Sequence, residues 1–283
     1  MDFLLLIPHE LLSVILKYLD PSTIFSLKLT AKKYNNNQLI RNFPYDRLGI
    51  IYIRWNSISN KHFDMFKWLV NENDIKSNIE KSVNLNSYIE TAAESGNNEV
   101  IRYFNSIGYQ TNCDEEEEGY FCYRAAGNGH VKTLKYLIKL GCHLDMWDCF
   151  QIAACHGHLK VLKYIFKHYN INPSEYTNIW IDAAGNGYLE VIKYLRRNKF
   201  PSNTAACTFA ASNGHLDVIK YLHKHKFPWN TNACTGASEK GHLEVLQYLH
   251  KNGCPWNKYA YTQAAANGHL EVLQYLHENG CPH

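Results

Sequence analysis

The chain has 283 residues, of which 46% are hydrophobic and 19% charged, so it can bury a core and is not expected to be disordered. Its formal net charge of only +3 argues against nucleic acid or a membrane surface as a partner. The longest apolar run, residues 3–7, is too short to span a bilayer and lacks the basic start of a secretory signal. We expect a protein of the cytoplasm or nucleus, because the placement of the nine cysteines predicts reduced, buried thiols.

The N-terminal residues have a pattern of their own. Pro8 suits the first turn of a helix, because the amide that proline lacks would have no helical partner there. Apolar residues then recur at helical spacing until Asp20-Pro21 ends the helix, which predicts one apolar stripe. The stripe consists of Leu11, Leu12, Ile15, Leu16 and Leu19. Because two short helices cannot enclose a core, part of this stripe is expected to meet another surface.

This segment resembles the F-box. Ile7-Pro8-His9-Glu10 and Leu19-Asp20-Pro21 match the family's Leu-Pro-x-Glu and Leu-Asp-Pro, and a second apolar helix and a basic-aromatic pair follow. The resemblance implies that residues 1–43 dock on the Skp-type linker subunit of cullin-type ubiquitin ligases. The residues implied to bind the linker are Ile7, Pro8, Leu11, Leu12, Ile15, Leu16 and Leu19. The alternative is that the segment only caps the first repeat, since solenoids need a cap.

The remainder of the chain, residues 44–283, repeats one pattern. Its turn glycines are Gly96, Gly129, Gly157, Gly187, Gly214, Gly241 and Gly268, at spacings of 33, 28, 30, 27, 27 and 27 residues. A small pair, mostly Ala-Ala, precedes each glycine, and apolar residues two, five and eight positions after it predict the stripe of a packed helix. Because glycine adopts the left-handed conformation that ends a helix without penalty, each unit is predicted to be helix, tight turn, helix and loop.

The repeated Ala-Ala-x-x-Gly-His-Leu-Glu-Val-Leu resembles the ankyrin repeat. The resemblance implies an all-α fold, an ankyrin-like helical solenoid with short repeats of 27–33 residues, comprising about seven clear units after a degenerate first one. The usual unit has about 33 residues and opens with Thr-Pro-Leu-His, which the last units lack, so clipped hairpin fingers are expected. Short ankyrin units behind an F-box-like segment are similar to the ankyrin-repeat families of giant DNA viruses of amoebae, which implies a host-cell cytoplasmic location.

Several residue types recur in columns that favour structural roles. His130, His158, His215, His242 and His269 follow the glycines, but neighbours in such a column lie about 8–10 Å apart and cannot share a metal ion, so we interpret them as turn-stabilising. A tyrosine column seven positions after the glycine is expected to pack between units. Cysteines share two columns with aromatic residues, which predicts buried, reduced thiols. No catalytic, cofactor or metal motif is recognised, so a non-enzymatic protein without cofactors is expected.

Binding specificity is expected where otherwise similar units differ. The positions nine and five residues before the glycine vary, and their spacing of four places them on one face of the first helix. Ankyrin resemblance implies that this face lines a concave groove that holds a protein partner. The predicted groove residues are Arg124, Asp148, Asn178, Asp182, Phe209, Asn232, Tyr259 and Gln263, with Trp229 and Trp256 as rim anchors.

Two functions remain open from the sequence. The favoured one is a substrate adaptor that is a monomer apart from its partners and links a groove-bound protein to a cullin-type ubiquitin ligase. The alternative is an ankyrin scaffold or decoy with no ubiquitin-ligase link. A third hypothesis, an enzyme, requires a polar catalytic cluster in a pocket.

Overall fold

A computed structural model describes residues 85–107 and 120–282 of the chain. Within these ranges it contains fourteen α-helices and no strand. The first helices of successive units are α1 (Leu85–Ser95), α3 (Tyr120–Gly127), α5 (Met146–Cys155), α7 (Ile179–Gly185), α9 (Thr204–Ser212), α11 (Thr231–Glu239) and α13 (Lys258–Ala266). The second helices are α2 (Asn98–Ser106), α4 (Val131–Lys139), α6 (Leu159–His168), α8 (Leu189–Arg197), α10 (Leu216–Lys224), α12 (Leu243–Lys251) and α14 (Leu270–Glu278).

Internal contacts divide the chain into two compact units, Met1–Asn112 and Cys113–His283. The pair α1 and α2 belongs to the first unit, and the other twelve helices belong to the second. The predicted boundary between residues 1–43 and 44–283 and the implied linker-binding residues Ile7 to Leu19 lie outside the described residues.

In the second unit the helices form two layers. Each first helix packs against the first helix of the next unit, from α3 to α13, and these helices form the first-helix layer. The second helices, from α4 to α14, contact one another in the same order and form the second-helix layer. Each first helix also packs against its own second helix. This confirms the predicted all-α solenoid of paired helices.

The turn glycines adopt the conformation that the sequence predicted. From Gly96 to Gly268 their φ angles lie between 71° and 76°, in the left-handed region where glycine has no steric penalty. A second left-handed position lies after several second helices, at Gly141, Gly253 and Gly280. Lys199 and Lys226 take the same place in two other units with φ angles of 61° and 60°, although a side chain is disfavoured there.

The core lies between the two layers, and part of its predicted pattern was wrong. The small residues before the glycines are buried, as in Ala153-Ala154 and Ala210-Ala211, except that Ala265 in the last unit is exposed. In the second helices, however, the buried positions are four, five and eight residues after the glycine, as in Val161, Leu162 and Ile165. The residue two positions after the glycine lies at the helix start and is half-buried in the other units, and in the last unit Leu270 is 76% exposed. The contact stripe therefore begins one half-turn later than predicted.

The cysteine columns are confirmed as packing positions. Seven of the eight described cysteines are buried, none is in a disulfide, and Cys155 is half-buried. The aromatic residues of the same columns, Phe150, Trp180, Phe200 and Phe227, are also buried. Burial raises the pKa of Cys207 to about 12, and burial with the nearby Asp145 and Asp148 raises the pKa of Cys149 still further above the ordinary thiol range. Such thiols are protonated at neutral pH and behave as small hydrophobic side chains.

Candidate protein-binding face

The predicted groove residues lie together along the first-helix layer. Eight of them share one property, because each belongs to a first helix of the second unit or to the N-cap of α7. We call these eight residues the first-helix face. They are Arg124, Asp148, Asn178, Asp182, Phe209, Asn232, Tyr259 and Gln263. Because consecutive first helices pack side by side, the face runs across six units. Its role in binding stays a prediction.

Two large aromatic side chains are exposed on this face. Tyr259 is 57% exposed and Phe209 is 46% exposed, and both project from helices whose opposite side is buried against the second-helix layer. Asp148, Asn178 and Asn232 are also exposed. Exposed aromatic residues among polar ones are the composition found at the energetic centres of protein interfaces.

The other members are half-buried and have contacts within the layer. The guanidinium carbon of Arg124 lies 4.7 Å from the ring centroid of Tyr120, and its Nη2 donates a hydrogen bond to the Tyr120 hydroxyl. Asp182 lies near the Cys155 thiol, whose pKa is raised by burial and, to a smaller extent, by this carboxylate. Gln263 is half-buried in α13, where its backbone carbonyl accepts a hydrogen bond from Asn267 Nδ2. The contact with Tyr120 thus fixes the orientation of the Arg124 side chain.

The predicted rim anchors Trp229 and Trp256 are placed against the second-helix layer instead. Trp229 stacks on His223 with ring centroids 4.3 Å apart, and Trp256 stacks on His250 at 3.7 Å. The Nδ1 atom of His250 is hydrogen-bonded to the Tyr275 hydroxyl of the next unit at 2.9 Å. Both tryptophans are half-buried in these clusters and do not extend the first-helix face. The sequence alone did not reveal the stacking, because it depends on how adjacent units align.

Histidines after the turn glycines also connect neighbouring units, by bonds to the helix end just before the turn of the preceding unit. His215 Nε2 donates to the Gly185 carbonyl at 2.9 Å, and His269 Nε2 donates to the Glu239 carbonyl at the same distance. These carbonyls lie at the C-terminal end of the preceding first helix, where helical hydrogen bonds run out. His215 and His269 therefore each cap the first helix of the unit before them.

The Cys155-His156-Gly157-His158 segment, in which metal-ligand types lie close together, makes two bonds of this kind. His156 Nδ1 and His158 Nε2 both donate to the Gly127 carbonyl, at 2.9 Å and 2.8 Å. The two rings are thus occupied as hydrogen-bond donors. Among the residues that the structure describes, no group of three or more His, Cys, Asp or Glu side chains is arranged to hold a metal ion.

A surface cleft next to the first-helix face was missed by the sequence reasoning. It has a volume of about 310 Å³ and is lined by residues 143–147, at the start of α5, and by residues 170–172, 175 and 176, in the connection between α6 and α7. Pro173–Glu175 forms a short 3₁₀ helix in this connection. The available signal was the spacing of 30 residues between Gly157 and Gly187, three more than in the units that follow.

Comparison with known proteins agrees with this architecture. Residues 89–176, 121–204 and 180–259 each match the family described as Ankyrin repeats (3 copies), so the matches together span residues 89–259, which is more than half of the chain. The chain belongs to the ankyrin-repeat family. No curated protein matches the sequence of this chain.

A solved structure supports the same fold. The human ASB11 ankyrin repeat domain aligns with a TM-score of 0.53 at 17% identity, over 66% of this chain and 96% of that domain. At this identity the likeness shows the ankyrin fold alone. Ankyrin repeats are in general non-enzymatic scaffolds that bind other proteins, and this chain is an ankyrin scaffold for protein interaction. No helix in the described ranges is long and apolar enough to cross a membrane.

Proposed function

We propose that this ankyrin-repeat protein is a non-enzymatic substrate adaptor. The first-helix face selects a protein target, and the F-box-like segment links that target to a cullin-type ubiquitin ligase through its Skp-type subunit. The observation that carries the proposal is the order of features in one chain: Ile7-Pro8-His9-Glu10 and Leu19-Asp20-Pro21 precede an array whose first-helix face varies from unit to unit.

The array supports the target-binding half of this proposal. The residues that repeat from unit to unit have structural roles. Gly187 forms a turn, Ala211 lies in the core and His215 bonds to the preceding unit. Phe209 and Tyr259, which do not repeat, are exposed to a degree that offers large apolar contact area. We further propose a cytoplasmic or nuclear location, and the resemblance to giant-virus ankyrin families favours the cytoplasm of an infected host cell.

The test of the ligase link is direct binding of the purified full chain to the Skp-type linker subunit, measured by titration calorimetry. Each of Leu11→Asp and Ile15→Asp is expected to weaken binding at least about thirtyfold, because a charge would enter an apolar contact. Ser13→Asp introduces the same charge outside the apolar stripe and is expected to bind like the wild type. Absence of binding by the wild-type chain, or equal binding by all three variants, would refute the ligase link.

The second candidate is an ankyrin scaffold or decoy without a ligase link, in which residues 1–43 cap the array. It predicts that the linker subunit does not bind, and that Leu11→Asp lowers the unfolding midpoint of the array instead. Both measurements are made on the same variants, so one set of proteins separates the two functions.

A further inference from the structure

The cleft between α5 and the connection from α6 to α7 has an aromatic wall. Trp147 stacks on Tyr176 with ring centroids 4.3 Å apart and an angle of 22° between the planes. Tyr176 is only 4% exposed and is held by edge contact with Phe150 at 5.1 Å. Trp147, by contrast, keeps 43% of its surface exposed, and its neighbour Met146 keeps 41%. A rigid inner ring therefore supports an accessible indole.

Two carboxylates line the same cleft. Asp145 caps α5 by accepting a bond from the backbone N–H of Asp148 at 2.9 Å, and Glu175 accepts one from Asn172 Nδ2 at 3.0 Å. Each bond uses one carboxylate oxygen. Within the described part of the chain, no Lys, Arg or His side chain forms an ion pair with either carboxylate.

The sign of the local potential follows from these groups. The N-terminus of α5 contributes roughly half a positive charge, whereas Asp145, Glu175 and the adjacent Asp148 contribute three negative charges, so the cleft is negative. Burial, together with Glu175 and Asp145, raises the pKa of Tyr176 to about 12, which agrees with that sign. A cation entering the cleft gains attraction from both the carboxylates and the indole face.

We propose that this cleft binds an arginine side chain of the protein partner. The planar guanidinium stacks on the exposed face of Trp147 and donates hydrogen bonds to Asp145 and Glu175, a combination that an ammonium group matches less well. The volume of about 310 Å³ lies at the lower end of the range for ligand pockets, which suits one side chain.

The inference rests on the proposed protein-binding function and adds the chemistry of its partner. Asp148 belongs to the first-helix face and is in the first turn of α5, one residue after Trp147. An arginine held in the cleft would thus anchor a segment that continues along the face. The inference does not depend on the ligase link, which concerns residues 7–19.

The test uses the full chain and a defined peptide, N-acetyl-Gly-Ala-Arg-Ala-Gly-amide. The indole N–H signals are followed by NMR, and the Trp147 signal is identified among the six tryptophans by its loss in Trp147→Phe. We expect a saturable shift of the Trp147 signal with a dissociation constant on the order of 1 mM. Replacing arginine by citrulline, its neutral isostere, is expected to weaken binding at least about tenfold, and lysine is expected to fall between them.

Matched variants distinguish binding at this cleft from a general effect of the net charge of the protein. Asp145→Asn with Glu175→Gln keeps both hydrogen-bond acceptors and is expected to weaken arginine-peptide binding about tenfold. Glu244→Gln with Glu271→Gln, two exposed carboxylates on α12 and α14, changes net charge equally and is expected to leave binding unchanged.

Three results would overturn the inference: no saturable shift, equal binding of the arginine and citrulline peptides, or equal weakening by both pairs of variants. Failure here with intact linker binding would remove the arginine site alone. Loss of linker binding with intact peptide binding would remove the ligase link alone.

Discussion

The 27-residue units and the 30-residue unit between Gly157 and Gly187 differ in how they begin the next first helix. In the shorter units an asparagine eleven residues before the glycine caps that helix, as Asn230 does for α11 and Asn257 for α13. In the longer unit this position is Tyr176, which is buried, and α7 starts only at Ile179 and has seven residues instead of nine. The cleft lies at this altered start.

The comparison shows where the array tolerates change. Gly187 keeps its left-handed φ of 75°, and α7 still packs against both α5 and α9, so the two layers continue through the longer unit. They are absorbed in the connection before the first helix, next to the first-helix face. The regular units supply a scaffold, and the irregular connection supplies a distinctive surface.

The largest expected effect tests whether the longer connection has its own core. Tyr176→Ala removes a buried ring that contacts Trp147, Phe150 and Phe200, and we expect a loss of about 3 kcal/mol in the free energy of unfolding. Trp229→Ala, in a regular unit, removes a half-buried ring and should cost about 1 kcal/mol. Urea unfolding of both variants measures the difference; equal losses would contradict the special role of the longer connection.

A second prediction separates two kinds of left-handed glycine. A Cβ at Gly241 would lie 2.6 Å from Nδ1 of His269 in the next unit, whereas at Gly253 it would meet nothing within 4 Å. Gly253→Ala should therefore cost only the backbone strain of about 1 kcal/mol, and Gly241→Ala roughly 3 kcal/mol because the histidine must also move. Thermal and urea midpoints of the two variants provide the measurement. If the two substitutions are equally costly, the inter-unit contact contributes little.

A third prediction concerns one departure from the repeated pattern. Ser238 occupies a position that is alanine in the other clear units, and its buried Oγ has no hydrogen-bond partner among the residues that the structure describes. Ser238→Ala should raise the free energy of unfolding by about 1 kcal/mol. Ala211→Ser, the reverse change one unit earlier, should lower it by a similar amount. Denaturant titration checks both, and a destabilised Ser238→Ala protein would show that the hydroxyl is in fact bonded.

The smallest effect is a pH dependence at His158. Burial lowers the pKa of His158, and this effect is larger than the rise caused by the hydrogen bond to the Gly127 carbonyl. The nearby His156 lowers the pKa further. The unfolded chain therefore takes up this proton first as the pH falls below about 6.5, so stability falls from that pH downward. His158→Tyr keeps a ring at the position that Tyr188 occupies in the next unit. The loss of stability between pH 7.0 and 5.5 should be smaller for this variant; an equal loss would exclude a contribution from His158.

Much of the helix-turn-helix framework of the units was predictable from the sequence, because it depends on local chemistry. A left-handed glycine, a small pair and an apolar helix recur within each unit, so Gly214 and Ala210-Ala211 were placed correctly from sequence. The resemblance to the ankyrin repeat then gave the stacking of units. The left-handed conformations of Lys199 and Lys226 were not predicted, because a residue with a side chain rarely adopts a positive φ.

The contacts between units were less predictable, because they depend on rotations that no single unit specifies. The bond from His215 to the Gly185 carbonyl crosses 30 residues of sequence, and the stacking of Trp256 on His250 turns a predicted anchor toward the second-helix layer. The spacing of 30 residues marked the longer unit but not its 3₁₀ helix or the stacking of Tyr176 on Trp147.

The central claim is that the first-helix face carries the partner specificity of this ankyrin array. Proximity labelling in cells tests it most directly, with a variant carrying Asp148→Ala, Phe209→Ala and Tyr259→Ala on that face. Its control carries Lys220→Ala, Gln247→Ala and Gln274→Ala, three exposed positions of the second helices. We predict that the first variant loses the partners labelled by the wild type, at an unchanged unfolding midpoint, while the control keeps them. Retention of the partners by the first variant, or their loss from the control, would contradict the claim.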